Sequence, residues 1–211
     1  MLAKFLNILQ IIKNHQMFRL IKHSLVYGIG TIIQRFLSIF LLPIYTRYLT
    51  PSDYGITALL SILGMIVGTI TMCGLTNGIS RYFYYTKQEG TTLSEVVWSP
   101  FIFISLFAVF VLLPLSLLSK VVSQILFDSD QYWYLVNLTL IGIFINNVAG
   151  VGRSILVFQE KAMMINYINI SGLLVGVASG LFFVVYLKRG VAGVVEAGLI
   201  SSMVMSLPVL M

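Results

Sequence analysis

Charge is what this sequence lacks most. Only 9% of its 211 residues are Asp, Glu, Lys or Arg, against about 25% in an average soluble domain. With 58% of the residues hydrophobic and a mean hydropathy of +0.97, there is too little polar surface to face water, so the solvent is lipid. Cysteine is nearly missing as well. Cys73 is the single one, which excludes an internal disulfide and a thiolate metal cluster; set in an apolar run, it reads as a small buried side chain. The two histidines, His15 and His23, lie in a basic N-terminal stretch with nothing to pair them as metal ligands. No Ser/His/Asp set and no catalytic carboxylate pair is in view, so no enzymatic activity is expected. Asp128 and Asp130 are the only close acidic pair, and helix capping explains them. The net charge is +6, but no basic run accompanies it. A nucleic-acid partner is therefore not expected, and the positive charge suits cytosolic loops and an anionic cargo.

What the sequence does have is long apolar runs. A helix needs about 20 mostly apolar residues to cross hydrocarbon, and six such runs stand near 24–46, 55–80, 95–118, 134–157, 166–187 and 190–211. Backbone groups must be satisfied inside lipid, and short connections between long runs mean helices rather than barrel strands. The predicted fold is all-α, a polytopic six-helix transmembrane bundle over 24–211, preceded by a basic amphipathic segment, 1–23, lying on the membrane face. That segment has no small-residue cleavage site and is not a secretory signal peptide. Met17 opens a compact basic start, MFRLIKHSL, so residues 1–16 are either native or an extension. The last run ends at Met211 directly after LPVL, and we expect the chain to be the N-terminal lobe of a longer protein.

The connections carry the turn signals. Thr50 suits the cap of the second helix, Pro51 its first position, and Asp53 brings a carboxylate to its positive end. Thr92 and Glu95 have capping-box spacing at the start of the third. Asp128, Ser129 and Asp130 offer caps before the fourth, where Tyr132, Trp133 and Tyr134 form an interfacial aromatic belt. With the N-terminus on one side, that side receives eight basic residues: Lys4, Lys13, Arg19, Lys22, Arg81, Lys87, Arg153 and Lys161. The other receives four, Arg47, Lys120, Lys188 and Arg189. The excess puts the N-terminus in the cytoplasm, although the Lys188–Arg189 pair argues the other way.

A charge in the hydrocarbon core costs at least about 2.5–3.5 kcal/mol on insertion scales, so each one needs a reason. Arg35 shares one helical face with Ser24, Gly28, Thr31 and Ser38. It either lines a hydrated cavity and meets an anion, or bonds a neighbouring helix. Asn146, Gly150 and Arg153 share a face of the fourth run, fit either for sugar hydroxyls and phosphate or for interhelical hydrogen bonds. Arg81 ends the second run, at a cavity mouth or snorkelling to lipid, and Arg47 can snorkel at the opposite end. Glu196 in the sixth run is a candidate for proton coupling, an interfacial acid, or the partner of an arginine. Ser61, Gly64, Gly68 and Thr71, and the series Gly172, Gly176, Gly180, are small-residue ridges that predict close helix packing.

Several stretches resemble one family. The run LVYGIGTIIQRFLSIFLLPIYTRYLTPSDYGITALL is similar to the start of the oligosaccharide flippases, the polysaccharide biosynthesis proteins that move lipid-linked repeat units. Pro43, then Tyr45-Thr46-Arg47-Tyr48-Leu49, then Pro51 and Tyr54-Gly55 carry that likeness. GLTNGISRYFYY, with Arg81 in the usual place, ILFDSDQYWY, GRSILVFQEKAMMINYINI and RGVAGVV follow in the family's order, so the likeness covers about 18–211.

The resemblance implies one lobe of a two-lobe transporter fold, within the multidrug/oligosaccharidyl-lipid/polysaccharide exporter superfamily. It implies a cargo of pyrophosphate-linked sugars on a polyprenyl chain, moved across the cytoplasmic membrane by alternating access. The candidate substrate path is Arg35, Arg153, Asn146, Arg81 and Arg47, with Glu196 for coupling; Arg35 matches a position often basic in the family. No cofactor or metal is expected, and a proton or sodium gradient is the candidate energy source. Expected partners are the lipid-linked oligosaccharide, membrane lipids, and the polymerase and glycosyltransferases of the same pathway. Two alternatives stay open: a multidrug exporter of the same superfamily, and a membrane enzyme acting on lipid-linked glycans.

Overall fold

Lipid offers a backbone no hydrogen-bond partners, and folding each stretch into helix is the direct solution. The computed structural model of the chain describes residues 32, 36, 41–72, 93–159 and 161–210, and among these all regular structure is helical. Helix α1 runs over 41–48, with Ile32 and Phe36 also helical. Then come α2 (Pro51–Met72), α3 (Leu93–Leu117), α4 (Ser119–Phe127), a single 3-10 turn (Asp130–Tyr132) and α5 (Trp133–Phe158). Helix α6 (Ala162–Gly180) continues into a π-helical segment (Leu181–Tyr186), and α7 (Val191–Leu210) completes the series.

Among the described residues, five stretches are long and apolar enough to cross a membrane: Pro51–Met72, Pro100–Leu117, Asp130–Val157, Met163–Tyr186 and Val191–Pro208. The protein is thus an all-α, multi-pass membrane protein. Most of the first predicted span, the 73–80 end of the second, the 1–23 segment and Thr92 lie outside the described residues. Pro51 opens α2 as its place after Thr50 suggested, four residues before the apolar run near 55–80 begins.

That start is a reciprocal capping box. Thr50 N–H donates to Asp53 Oδ2 at 2.7 Å, and Asp53 N–H donates to Thr50 Oγ1 at 3.2 Å. Two end groups that the helix ladder leaves orphaned are satisfied at once, at the water boundary where the chain turns. Within α2 and its neighbours, hydroxyls turn back on their own helix. Thr57, Ser61, Thr69 and Thr71 donate to carbonyls three or four residues earlier, which removes a donor that lipid could not satisfy.

The segment between the third and fourth spans is not a loop, as its lack of a long apolar run suggested. It is α4, entered at Leu118 with no glycine or proline at the corner. Asn137 on α5 holds that corner: it accepts from Ser116 at 2.7 Å and donates to Ser119 at 3.0 Å. Ser119 and Ser123 are the buried residues of α4, while Val121 and Ile125 are exposed. This helix buries its two serines against the protein, packs Val122 and Phe127 on the core, and leaves other apolar side chains exposed, as a helix in lipid can. Asp128, in the left-handed region at φ 51°, closes α4 by donating its N–H to Gln124. Ser129 then caps the 3-10 turn through Gln131 N–H.

Helix α5 is the central strut, packed against α2, α3, α4, α6 and α7. The core forms where Ile56, Leu60 and Val67 of α2, Ala108 and Leu112 of α3, Leu135 to Ile143 of α5, and Val191 of α7 meet. Outward, Met65, Leu106, Phe110 and Leu117 are each at least two-thirds exposed, as lipid-facing side chains are. The predicted glycine ridge of α6 is a packing surface: side chains of Met205 and Ser201 from α7 lie over Gly172 and Gly176, and Tyr45 from α1 lies over Gly180.

At the far end, Leu187 N–H bonds Phe182 O at 3.0 Å, five residues back, so the π segment forms a wide turn. Gly193 of α7 packs on it so closely that a Cβ there would stand 3.0–3.2 Å from Cβ, C and O of Phe183. Backbone cannot yield as a side-chain tip does. Gly193→Ala is therefore expected to lower the thermal unfolding midpoint in detergent, whereas Gly198→Ala, which meets nothing within 4 Å, leaves it unchanged or higher. Thr50→Ala removes one half of the capping box and is expected to cost about 1 kcal/mol, read as a lower midpoint by circular dichroism.

Candidate functional site

Three helices separate enough to leave an open space between them. On α2, Thr57, Ser61, Gly64 and Gly68 follow one another at helical spacing and form a face of small and hydroxyl side chains. Thr139 and Asn146 of α5, and Gly198 and Ser202 of α7, join them around a cavity of about 390 Å³ whose remaining walls are apolar, Leu60, Leu138, Ile143, Val194, Val195 and Leu199 among them. Glycines 64 and 68 meet α5 only at ordinary contact distances, 3.8 Å from Thr139 and 3.9 Å from Ile143 for an added Cβ. The ridge on α2 thus serves to leave room as well as to pack. Ser61, Asn146 and Gly198 are exposed, so the cavity is an open one.

The hydrogen bonds fix what the cavity offers. Ser61 donates to Thr57 O at 2.7 Å, Thr139 to Leu135 O at 2.8 Å, and Ser202 to Gly198 O at 2.7 Å. Asn146 Nδ2 donates to Gly142 O at 2.9 Å. With these hydroxyl hydrogens turned onto their own helices, the hydroxyl oxygens are left to accept, and Asn146 keeps its Oδ1 and a second N–H. An uncharged lining in which a few hydroxyl and amide groups stand among apolar side chains suits a ligand with both hydroxyl donors and apolar faces.

The adjacent asparagines of α5 take different roles. Asn147 is buried and donates to Thr71 Oγ1 at 2.5 Å, and Thr71 donates onward to Val67 O at 2.8 Å. That relay crosses from α5 to α2 beneath the cavity and fixes their spacing. Asn146, about 100° round the helix, looks into the open space.

The predicted site residues do not all converge. Arg35 and Arg81 lie outside the described residues. Asn146 lines the cavity, but Arg153 does not. The face shared by Asn146, Gly150 and Arg153 is interrupted, because the methyl of Met72 lies over Gly150. Beyond it Arg153 is half-buried, with Nε and Nη2 buried and without a hydrogen-bond partner among the described residues. Arg47 is exposed at the opposite end, beside the π segment of α6.

Glu196 pairs with Arg189, both carboxylate oxygens within 2.7 Å of Nη1, and accepts a longer hydrogen bond from Tyr134 Oη at 3.4 Å. Of the readings open to it in the sequence, the arginine partner is the one this geometry displays. The pair ties the α6–α7 turn to the start of α5.

Thr57, Thr139 and Ser202 were missed from sequence as cavity residues. Their signal was present as hydroxyl and small residues recurring at helical spacing on three runs, but nothing in one chain tells which polar faces meet.

Residues 44–211 match the family model for polysaccharide biosynthesis protein. No curated protein and no solved structure matches the chain.

In a Cys73→Ser background, Ser61→Cys and Asn146→Cys are expected to react with a small water-soluble thiol reagent, while Val136→Cys, at a fully buried position, stays unlabelled. Asn147→Ala leaves Thr71 without its buried donor and is expected to cost about 1–3 kcal/mol of stability, read as a lower unfolding midpoint.

Proposed function

The chain belongs to the polysaccharide biosynthesis protein family, and we propose that it flips a polyprenyl-pyrophosphate-linked oligosaccharide across the cytoplasmic membrane. In this reading the protein is a transporter rather than an enzyme, and its cargo is a repeat unit of a surface polysaccharide. The observation that carries the reading is the uncharged cavity between α2, α5 and α7. Sugar hydroxyls donate to Ser61, Asn146 and Ser202, while the polyprenyl chain stays in lipid. The pyrophosphate meets cationic side chains, for which Arg35, Arg81 and Arg153 are the candidates. Arg153 brings two guanidinium nitrogens that are buried and unsatisfied among the described residues, and attraction to an anion is strong where water is scarce.

Movement is by alternating access, driven by a proton or sodium gradient, with this chain as one of two facing lobes. In this reading the N-terminus is cytoplasmic, which the excess of Lys and Arg on one set of connections supports. A cationic drug is a poorer fit. The described lining of the cavity has no acid, and the acid of α7, Glu196, already holds Arg189.

The test is made in the full-length protein in cells. Asn146→Leu and Ser61→Leu each remove an acceptor from the cavity and are expected to lower surface-glycan export by about tenfold, as about 1.4 kcal/mol of lost contact would. Protein abundance and drug susceptibility should not change. Normal export by both variants would sink the cavity assignment; loss of drug resistance with normal export would favour the exporter.

A further inference from the structure

A second groove has a different chemistry. It lies between α1 and the π segment of α6, with a volume of about 710 Å³. Pro43 and Ile44 line one wall, Leu181, Phe182 and Val185 the other, and Arg47 and Tyr48 stand at one end. The two walls run from the water boundary into hydrocarbon. Arg47 and Tyr48 directly precede the capped turn at Thr50, and the exposed ring of Tyr186 lies at the same end of its wall, where interfacial tyrosines belong. Pro43, a turn back along α1, and Leu181, at the start of the π segment, lie deeper.

Arg47 is exposed and has no acid partner among the described residues. At this depth a guanidinium is at the level of lipid phosphates, and its planar fork accepts a phosphate through two parallel hydrogen bonds. The groove behind it is open and mostly apolar, lined by Pro43, Ile44, Leu181, Phe182 and Val185. The wall on α6 is stiffened by the stacked rings of Phe182 and Tyr186, 5.5 Å apart.

We propose that this groove binds one anionic phospholipid, its phosphate on Arg47 and one acyl chain along Leu181, Phe182 and Val185. The site is separate from the α2–α5–α7 cavity and does not depend on the function assigned to it. The lipid fills the space between α1 and α6 beside the place where Tyr45 covers Gly180, so it acts as a wedge that steadies α1 against the bundle.

The experiment uses the full chain in nanodiscs of phosphatidylglycerol and phosphatidylcholine, with a spin label on the acyl chain of each lipid in turn. The motionally restricted fraction is read by electron spin resonance. Phosphatidylglycerol is expected to be preferred about fivefold, the contribution of one arginine near an anionic lipid surface. Arg47→Gln should bring the ratio to near one, Arg47→Lys should keep most of it, and Val185→Trp should lower the restricted fraction of both lipids. A wild-type ratio near one, or an unchanged ratio in Arg47→Gln, overturns the proposal.

Should Arg47→Gln fail to keep its helix content, the wild-type protein decides the matter. Rising salt must lower the preference, and no change with salt overturns the site. Two further results identify another occupant and equally overturn it. One is displacement of labelled phosphatidylglycerol by equimolar polyprenyl phosphate. The other is failure of a lipid-soluble maleimide to reach Val185→Cys in the Cys73→Ser background, which would mean that protein covers the groove.

Discussion

Hydrocarbon accepts no hydrogen bond, and most of the polar side chains in this bundle are arranged around that constraint. Serines and threonines of α2, α3, α5, α6 and α7 donate to carbonyls of their own helices, among them Ser61, Ser105, Thr139, Ser179 and Ser202. Such hydroxyls cost little in lipid, and they can line a space without being used to hold it together. A smaller set bonds between helices, and those bonds determine the architecture. Asn147 to Thr71 sets α5 against α2, Asn137 fixes the corner between α3 and α4, and Ser201 to Gly172 O joins α6 to α7.

The same division separates structure from candidate function. The amide of Asn147, which reaches across to another helix, is buried and satisfied. Its neighbour Asn146 bonds only its own helix and keeps an oxygen for whatever enters the cavity. Charge follows a related rule. Glu196 is matched by Arg189, whereas Arg153 keeps two nitrogens unmatched among the described residues, against the cost of burying them. In a polysaccharide biosynthesis protein, an unmatched cation inside the bundle is sensible if an anionic group visits it.

Much of the fold was legible because its causes are local. Long apolar runs mean spanning helices, and Thr50, Pro51 and Asp53 mark a helix start whose atoms bond each other. Helix α4 was not legible, since SKVVSQILF has too few apolar residues to span and its corner is held by Asn137, a residue in another helix. The π segment was hidden for the same reason: LFFVVY is ordinary as an apolar sequence, and its wide turn is packed against Gly193 of α7. The cavity was legible only in pieces. Spacing revealed polar faces on separate runs, but which faces oppose one another is a property of the bundle. The interruption of the Asn146–Arg153 face by Met72 could not be read from α5 alone.

The π segment makes the length of α6 a matter of counting residues. Each residue added to or removed from a helix turns everything beyond it by about 100°, and a wide turn absorbs one residue without lengthening the rod. Leu181–Tyr186 therefore acts as a phase adjuster between the glycine face of α6 and the turn carrying Lys188 and Arg189. With the surplus residue taken out, the segment would close into ordinary helix while Lys188 and Arg189 kept their register to Glu196. A one-residue deletion there would thus be little felt at the ion pair beyond it, whereas the same deletion in the regular part of α6 would turn Arg189 about 100° away from Glu196.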